Sequence, residues 1–118
     1  MKTPPPPTGD ELVLMLATLA NPHRLRVVAA LTGGRTYVSQ LARDLGISRA
    51  LLQVHLKKLE TAGLVSAQLE ISPDGKAMKF YEVTPFAVQL TPDSIAAAMP
   101  TLTAADPAQG RDGEGSDR

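Results

Sequence analysis

A chain of 118 residues has room for one core of ordinary domain size, and 43% apolar with 20% charged residues is the composition of a soluble globular protein. Only 3% of it is aromatic, so the core must be built mainly from Leu, Val, Ile and Ala. The formal net charge is zero, and the absence of cysteine excludes disulfides, thiolate metal sites and cysteine nucleophiles together.

Residues 1–9 are Pro-rich and read as a disordered arm with extended, solvated backbone. The same N-terminal stretch has no apolar signal region. No run in the chain approaches the roughly 20 apolar residues that span a bilayer, so a cytoplasmic protein without a membrane partner is expected.

Asp10 is placed to cap a first helix in which Leu12, Leu16 and Leu19 recur at helical spacing, with Val13, Leu14 and Met15 widening its apolar surface. Asn21-Pro22 ends that helix and starts a second, because Pro suits the first helical position after an Asn cap. In the second helix Leu25, Val28 and Leu31 are expected inward and Arg24 and Arg26 outward, with Gly33-Gly34 as the stop. A short third helix runs from about Val38 to Leu45, and Gly46 supplies its left-handed end.

Ser48 then caps a fourth helix, with Ile47 and Leu52 as a hydrophobic staple and Leu52, Leu56 and Leu59 as its inward stripe. Two helices joined by so short a Gly-containing turn make a helix-turn-helix. Two strand-like runs follow, joined by Pro73-Asp74-Gly75, and predict a β-hairpin wing. Thr91-Pro92 begins a last short helix that Pro100 disturbs, and Ile95, Met99 and Leu102 are candidates for an apolar stripe shared with the first helix. Residues 10–103 thus form the folded domain. Residues 104–118 contain too few bulky apolar side chains to offset ordering entropy and read as a disordered acidic tail.

The neutral total hides an uneven distribution. Residues 22–84 carry nine basic against five acidic side chains, a surplus of four, while residues 91–118 carry two against five. The basic middle coincides with the helix-turn-helix and wing.

"LANPHRLRVVAAL", followed by "VSQLARDLGISRALLQVHLKKLETAGLV" and a wing ending in "KFYEVTP", resembles the ArsR/SmtB-type winged helix-turn-helix regulators of prokaryotes over residues 19–85. The resemblance implies a mainly α fold with a small β-hairpin and a homodimer formed through first and last helices. It implies binding to a palindromic operator in double-stranded DNA, usually to repress transcription. Many members sense metals, but the third-helix metal motif needs a cysteine that "TYVSQLARDL" lacks, and "TPDSIAAAMPTL" offers Asp93 without His. Neither of the family's metal sites therefore carries over intact. His23 and His55 remain as weak candidates, and nickel or zinc would suit their imidazoles, although their spacing gives no positive signal.

In a helix-turn-helix the start of the second helix approaches base edges in the major groove. Arg49 and Gln53, one turn apart, suit bidentate contacts to guanine and adenine. Ser48 suits a phosphate, Ala50 and Val54 a thymine methyl, and Lys57 a phosphate farther along. Lys76 and Lys79 in the wing suit backbone or minor groove. Each also has a plainer explanation: charged residues commonly solvate a helix face, His55 packs or meets a phosphate more readily than a metal, and Tyr81 serves as wing core. No nucleophile-base-acid set or phosphate-cradling Gly loop points to an enzyme. The competing function is a winged-helix protein-interaction module, or a co-regulator dependent on a regulatory protein partner, with the very apolar first helix as its docking face.

Overall fold

The computed structural model describes residues 5–103; the first part of the Pro-rich arm and the whole acidic tail at 104–118 lie outside the described residues. The elements in order are α1 (Gly9–Leu19), α2 (Pro22–Leu31), β1 (Thr36–Tyr37), α3 (Val38–Leu45), α4 (Arg49–Thr61), β2 (Val65–Ile71), β3 (Ala77–Val83) and α5 (Pro92–Ala98). A 3₁₀ turn, Met99–Thr101, follows α5. The chain divides into two compact units, Leu14–Ala87 and the segments on either side of it.

Within Leu14–Ala87 the core is a cluster of Val27 and Leu31 from α2, Val38, Leu41 and Ala42 from α3, and Leu52, Leu56 and Leu59 from α4. Leu64, Val65 and Tyr81 close it from the sheet side, so Tyr81 is core as expected. Fully burying one such Leu or Val is worth about 1.5–3 kcal/mol, which makes this cluster the main force holding α4 in place.

The turn between α3 and α4 follows from three residues. Gly46 sits at φ 68°, ψ 32°, the left-handed region that a Cβ disfavours. The backbone N–H of Ile47 then donates to the Ala42 carbonyl at 3.2 Å, satisfying one of the helix's last acceptors. Ser48 turns the chain back, its Oγ accepting from the Leu51 N–H at 3.0 Å. Ile47 packs against the core cluster to which fully buried Leu52 belongs, in agreement with a staple.

The stripe of α2 differs from expectation. Leu25 is 53% exposed, whereas Val27 and Leu31 are fully buried and Val28 packs against the core. The inward series is 24-27-28-31, a regular helical face whose first member is Arg24. Arg24 is half-buried, not outward: its Nε donates to the Thr18 carbonyl and its Nη1 donates to Nδ1 of His55, 3.2 Å away. A charged residue heads the apolar stripe because a polar group across the interface receives it.

The wing is part of a three-stranded antiparallel sheet, ordered β1-β3-β2, and not a hairpin alone. Thr36 pairs with Tyr81 and Tyr37 with Phe80. Two residues are too few to show alternation, which hid β1 in the sequence. The hairpin turn is closed by a Gly75 N–H bond to the Ser72 carbonyl at 2.9 Å, with Pro73 preset for its second position.

In the flanking unit the cap of α1 is Thr8 and not Asp10. Thr8 Oγ1 accepts from the Glu11 N–H at 3.1 Å and the Glu11 carboxylate accepts from the Thr8 N–H at 2.9 Å, a capping box two residues earlier than expected. Asp10 instead accepts from the Thr103 N–H at 2.7 Å, and the Gly9 N–H donates to Thr101 Oγ1 at 2.8 Å. A Cβ on Gly9 would lie 2.7 Å from the Ala98 carbonyl oxygen, so only glycine permits this approach. α5 starts with a Thr91/Ser94 capping box and Pro92 in its first turn, as the Thr-Pro pair suggests. Ile95, Met99 and Leu102 are exposed.

Candidate nucleic-acid interface

The site starts from the periodicity of α4. Leu52, Leu56 and Leu59 fix one face in the core, which turns Arg49, Gln53 and Lys57, each four residues apart, to the surface. These three side chains line an open cleft of about 920 Å³ together with Lys76 and Lys79 of the wing. Tyr37, Val38 and Ser39 form another part of its wall, and Glu60 and Thr61 lie at its α4 end. Four cations and one carboxylate thus share the cleft, and Gln53 offers both a donor and an acceptor. Fold and register bring Lys76 and Lys79 to α4 from at least fifteen residues away in the chain.

Ser48, Ala50 and Val54 are also exposed but are not among the residues that line the cleft. Ser48 Oγ is engaged as cap acceptor and keeps its hydroxyl proton for donation. Ala50 and Val54, one turn apart and with Val54 52% exposed, give α4 a small apolar strip.

Arg35 is a cation that sequence reasoning did not single out. Its guanidinium makes a two-bond pair with the Glu70 carboxylate, at 2.5 and 3.1 Å, and lies 4.5 Å from the centre of the Phe80 ring. Tyr37 meets Phe80 edge-on at 5.8 Å. The Arg35 hydrogen bond holds the Glu70 carboxyl below its ordinary range. No local sequence signal joins Arg35 to a residue 35 positions away.

His55 packs, and does so at the α2 contact. It is 6% exposed, its ring centre is 5.1 Å from that of His23, and Arg24 donates to its Nδ1. Because arginine can only donate, the neutral ring must carry its proton on Nε2, which has no hydrogen-bond partner among the described residues. Burial pushes the imidazole down from its ordinary value, and Arg24, His23 and Lys58 add in the same direction.

The two histidines therefore adjoin each other but suit nickel or zinc poorly, since a guanidinium occupies Nδ1 of one of them. Among the described residues no group of three or more His, Cys, Asp or Glu side chains could hold a metal ion.

Acid sensitivity follows from His55. Its folded-state pKa lies below the unfolded value, so on acidification the unfolded chain takes up the proton first. Stability present above about pH 6.5 is expected to fall as pH drops through the folded-state pKa, and His55→Leu to flatten that fall. Tm measured between about pH 7.5 and about pH 5 for both proteins tests this; parallel profiles would place the acid sensitivity elsewhere.

Comparison with known proteins adds findings of three kinds. The family model for bacterial regulatory proteins of the arsR family matches residues 21–67, which contain α2, α3, α4 and the start of β2. An uncharacterized HTH-type transcriptional regulator of Methanocaldococcus jannaschii is 32% identical over 76 residues, 64% of this chain and 79% of that protein. CmtR of Mycobacterium tuberculosis, an HTH-type transcriptional regulator, is 44% identical over 52 residues, 44% of either chain. The NMR structure of CmtR, described as a cadmium metal-sensor, superposes with a TM-score of 0.53 at 28% identity, covering 66% of this chain and 91% of that one. A homodimeric winged helix-turn-helix DNA-binding domain from Mycobacterium bovis shares the fold, with a TM-score of 0.58 at 22% identity over 77% of this chain and 73% of that one.

Proposed function

Because this chain belongs to the ArsR family of bacterial regulatory proteins, and so is a transcription regulator with a DNA-binding domain and not an enzyme, we propose that it binds a palindromic operator sequence-specifically as a homodimer. The observation that carries this reading is the shared cleft, where Arg49, Gln53 and Lys57 of α4 face Lys76 and Lys79 of the wing.

Arg49 and Gln53, nearest the start of α4, read guanine and adenine edges in the major groove. Ser48 donates to a phosphate, Ala50 and Val54 meet thymine methyls, and Lys57, Lys76 and Lys79 hold the backbone. A second copy supplies the second half-site, as two-fold symmetry of protein and operator requires. Support for that copy comes from the homodimeric relative and from apolar side chains left exposed: Val13, Leu14 and Leu16 on α1, and Ile95 and Met99 on α5 and the turn after it. No helix among the described residues is long and apolar enough to cross a membrane, which agrees with a site of action on cytoplasmic DNA. CmtR senses cadmium, but His23 and His55 are assigned no metal here because Arg24 holds the acceptor nitrogen.

Titrating the full chain into genomic duplex at rising salt tests the reading. Affinity is expected to fall log-linearly with salt, and Lys79→Ala to weaken operator and random duplex alike while reducing the slope by about one. Absence of saturable duplex binding at low salt would return the chain to the protein-interaction class.

A further inference from the structure

The register of the wing sorts its side chains in a way that DNA binding by lysines does not require. Residues paired across an antiparallel ladder share a face, and alternate residues share it along each strand. Val65, Ala67, Leu69 and Ile71 of β2 therefore lie on one face with Val83, Tyr81, Lys79 and Ala77 of β3. Ser66, Gln68 and Glu70 lie on the other with Glu82, Phe80 and Met78.

Both strand carboxylates, Glu70 and Glu82, are thus on one side, where Glu70 is further neutralised by Arg35. The face with Lys79 has none at its strand positions. Its apolar stripe starts in the core at Val65, 2% exposed, and continues outward until Leu69 and Ile71 are each 67% exposed. Leu69 stands directly opposite Lys79, which lines the cleft, so the exposed pair continues that cationic surface. A single exposed Leu on a strand calls for no explanation. Two in register at the end of a wing, opposite Lys79 and with no carboxylate at the strand positions of their face, make an apolar tip beside positive charge, while the one acid of the turn, Asp74, accepts from the Ser72 hydroxyl.

We propose that Leu69 and Ile71 form a wedge for the minor groove of duplex DNA, pressing apart one flexible base step while Lys76 and Lys79 hold the flanking phosphates. The inference rests on the DNA-binding reading above and adds to it. It makes the wing a reader of deformability, since pyrimidine–purine steps unstack at lower cost than A-tracts, so operator positions that touch no polar side chain still contribute to selection. Charge fixes duplex DNA as the occupant. A protein partner of the bare apolar pair would gain nothing from lysines placed around it unless it were itself acidic.

The test uses the full chain and an operator duplex recovered from genomic fragments, with 2-aminopurine placed singly along it, and the double variant Leu69→Ser with Ile71→Ser. Wild type is expected to raise the fluorescence at one step outside each half-site and to bend the duplex in a permuted-site gel assay. The double variant is expected to lose both signals and to bind the operator about 10-fold more weakly, with binding to random duplex at low salt unchanged. Its thermal stability should match wild type because both positions are exposed, and Leu69→Met with Ile71→Val should restore the fluorescence. A double variant that bends and unstacks the operator like wild type would overturn the proposal, as would equal weakening on operator and random duplex. Loss of self-association in the double variant, with DNA binding intact, would overturn it in favour of a contact between copies. Failure of wild type to bind any duplex overturns the DNA reading itself, and is seen before the wedge variants are needed.

Discussion

Arg49→Ala is expected to lower affinity for the operator roughly 10- to 100-fold and to relax selection at one base pair, the loss of about 1–3 kcal/mol that a bidentate arginine contributes. Three features of the position argue for this. Arg49 is the first residue of α4, directly after the Ser48 cap, where a helix entering the major groove presents its side chains to base edges. It is exposed, and it shares the cleft with Gln53 one turn on. It also sits where helix physics does not favour it, because a cation in the first turn opposes the helix dipole at a cost of about 0.3–1 kcal/mol. No acidic residue occupies that turn.

A residue that breaks a local rule without structural recompense is a functional signature. The same variant should therefore keep or slightly raise the Tm while it loses discrimination. Binding to the operator and to single-base variants of it, beside a thermal melt, separates the two effects. A variant that discriminates like wild type would remove Arg49 from the readers.

Leu56→Ala is expected to cost about 2–5 kcal/mol of folding stability, the range for truncating a fully buried leucine when its surroundings close only in part. Leu56 is 0% exposed and sits midway along α4 in a cluster fed by α2, α3 and the sheet. In a domain whose whole stability is about 5–15 kcal/mol, such a loss is a large share. Val54→Ala, two residues earlier but on the exposed strip, should change stability by no more than about 0.5 kcal/mol. Urea denaturation of both variants decides the point, and comparable losses would mean that α4 is seated differently.

These two neighbouring positions show how much of the molecule could be read from its sequence. The helix-turn-helix was legible because its determinants are local: Gly46, Ile47, Ser48 and Leu52 fall within seven residues, and each does in the structure what its type implies. That Arg49, Gln53 and Lys57 share one surface was legible for the same reason, since they follow helical spacing. Their meeting with Lys76 and Lys79 was not, because it depends on how the sheet packs. Apolarity alone points to Leu25 for the α2 stripe, whereas the polar head of the true stripe, Arg24, makes sense only with His55 across from it. β1 was too short to carry a period. Residue type points to Asp10 as the cap of α1 because aspartate is a good cap, but Thr8 and Glu11 satisfy each other and leave Asp10 for Thr103.

The guanidinium of Arg24 is a rigid planar fork, so groups bound to it stand at a nearly fixed separation. It holds the Thr18 carbonyl, in the last turn of α1, and the ring of His55, which lies on α4 between Gln53 and Lys57. Arg24 is thus a strut from the end of one helix to the middle of another, tying Thr18 to a point two residues from a proposed base reader.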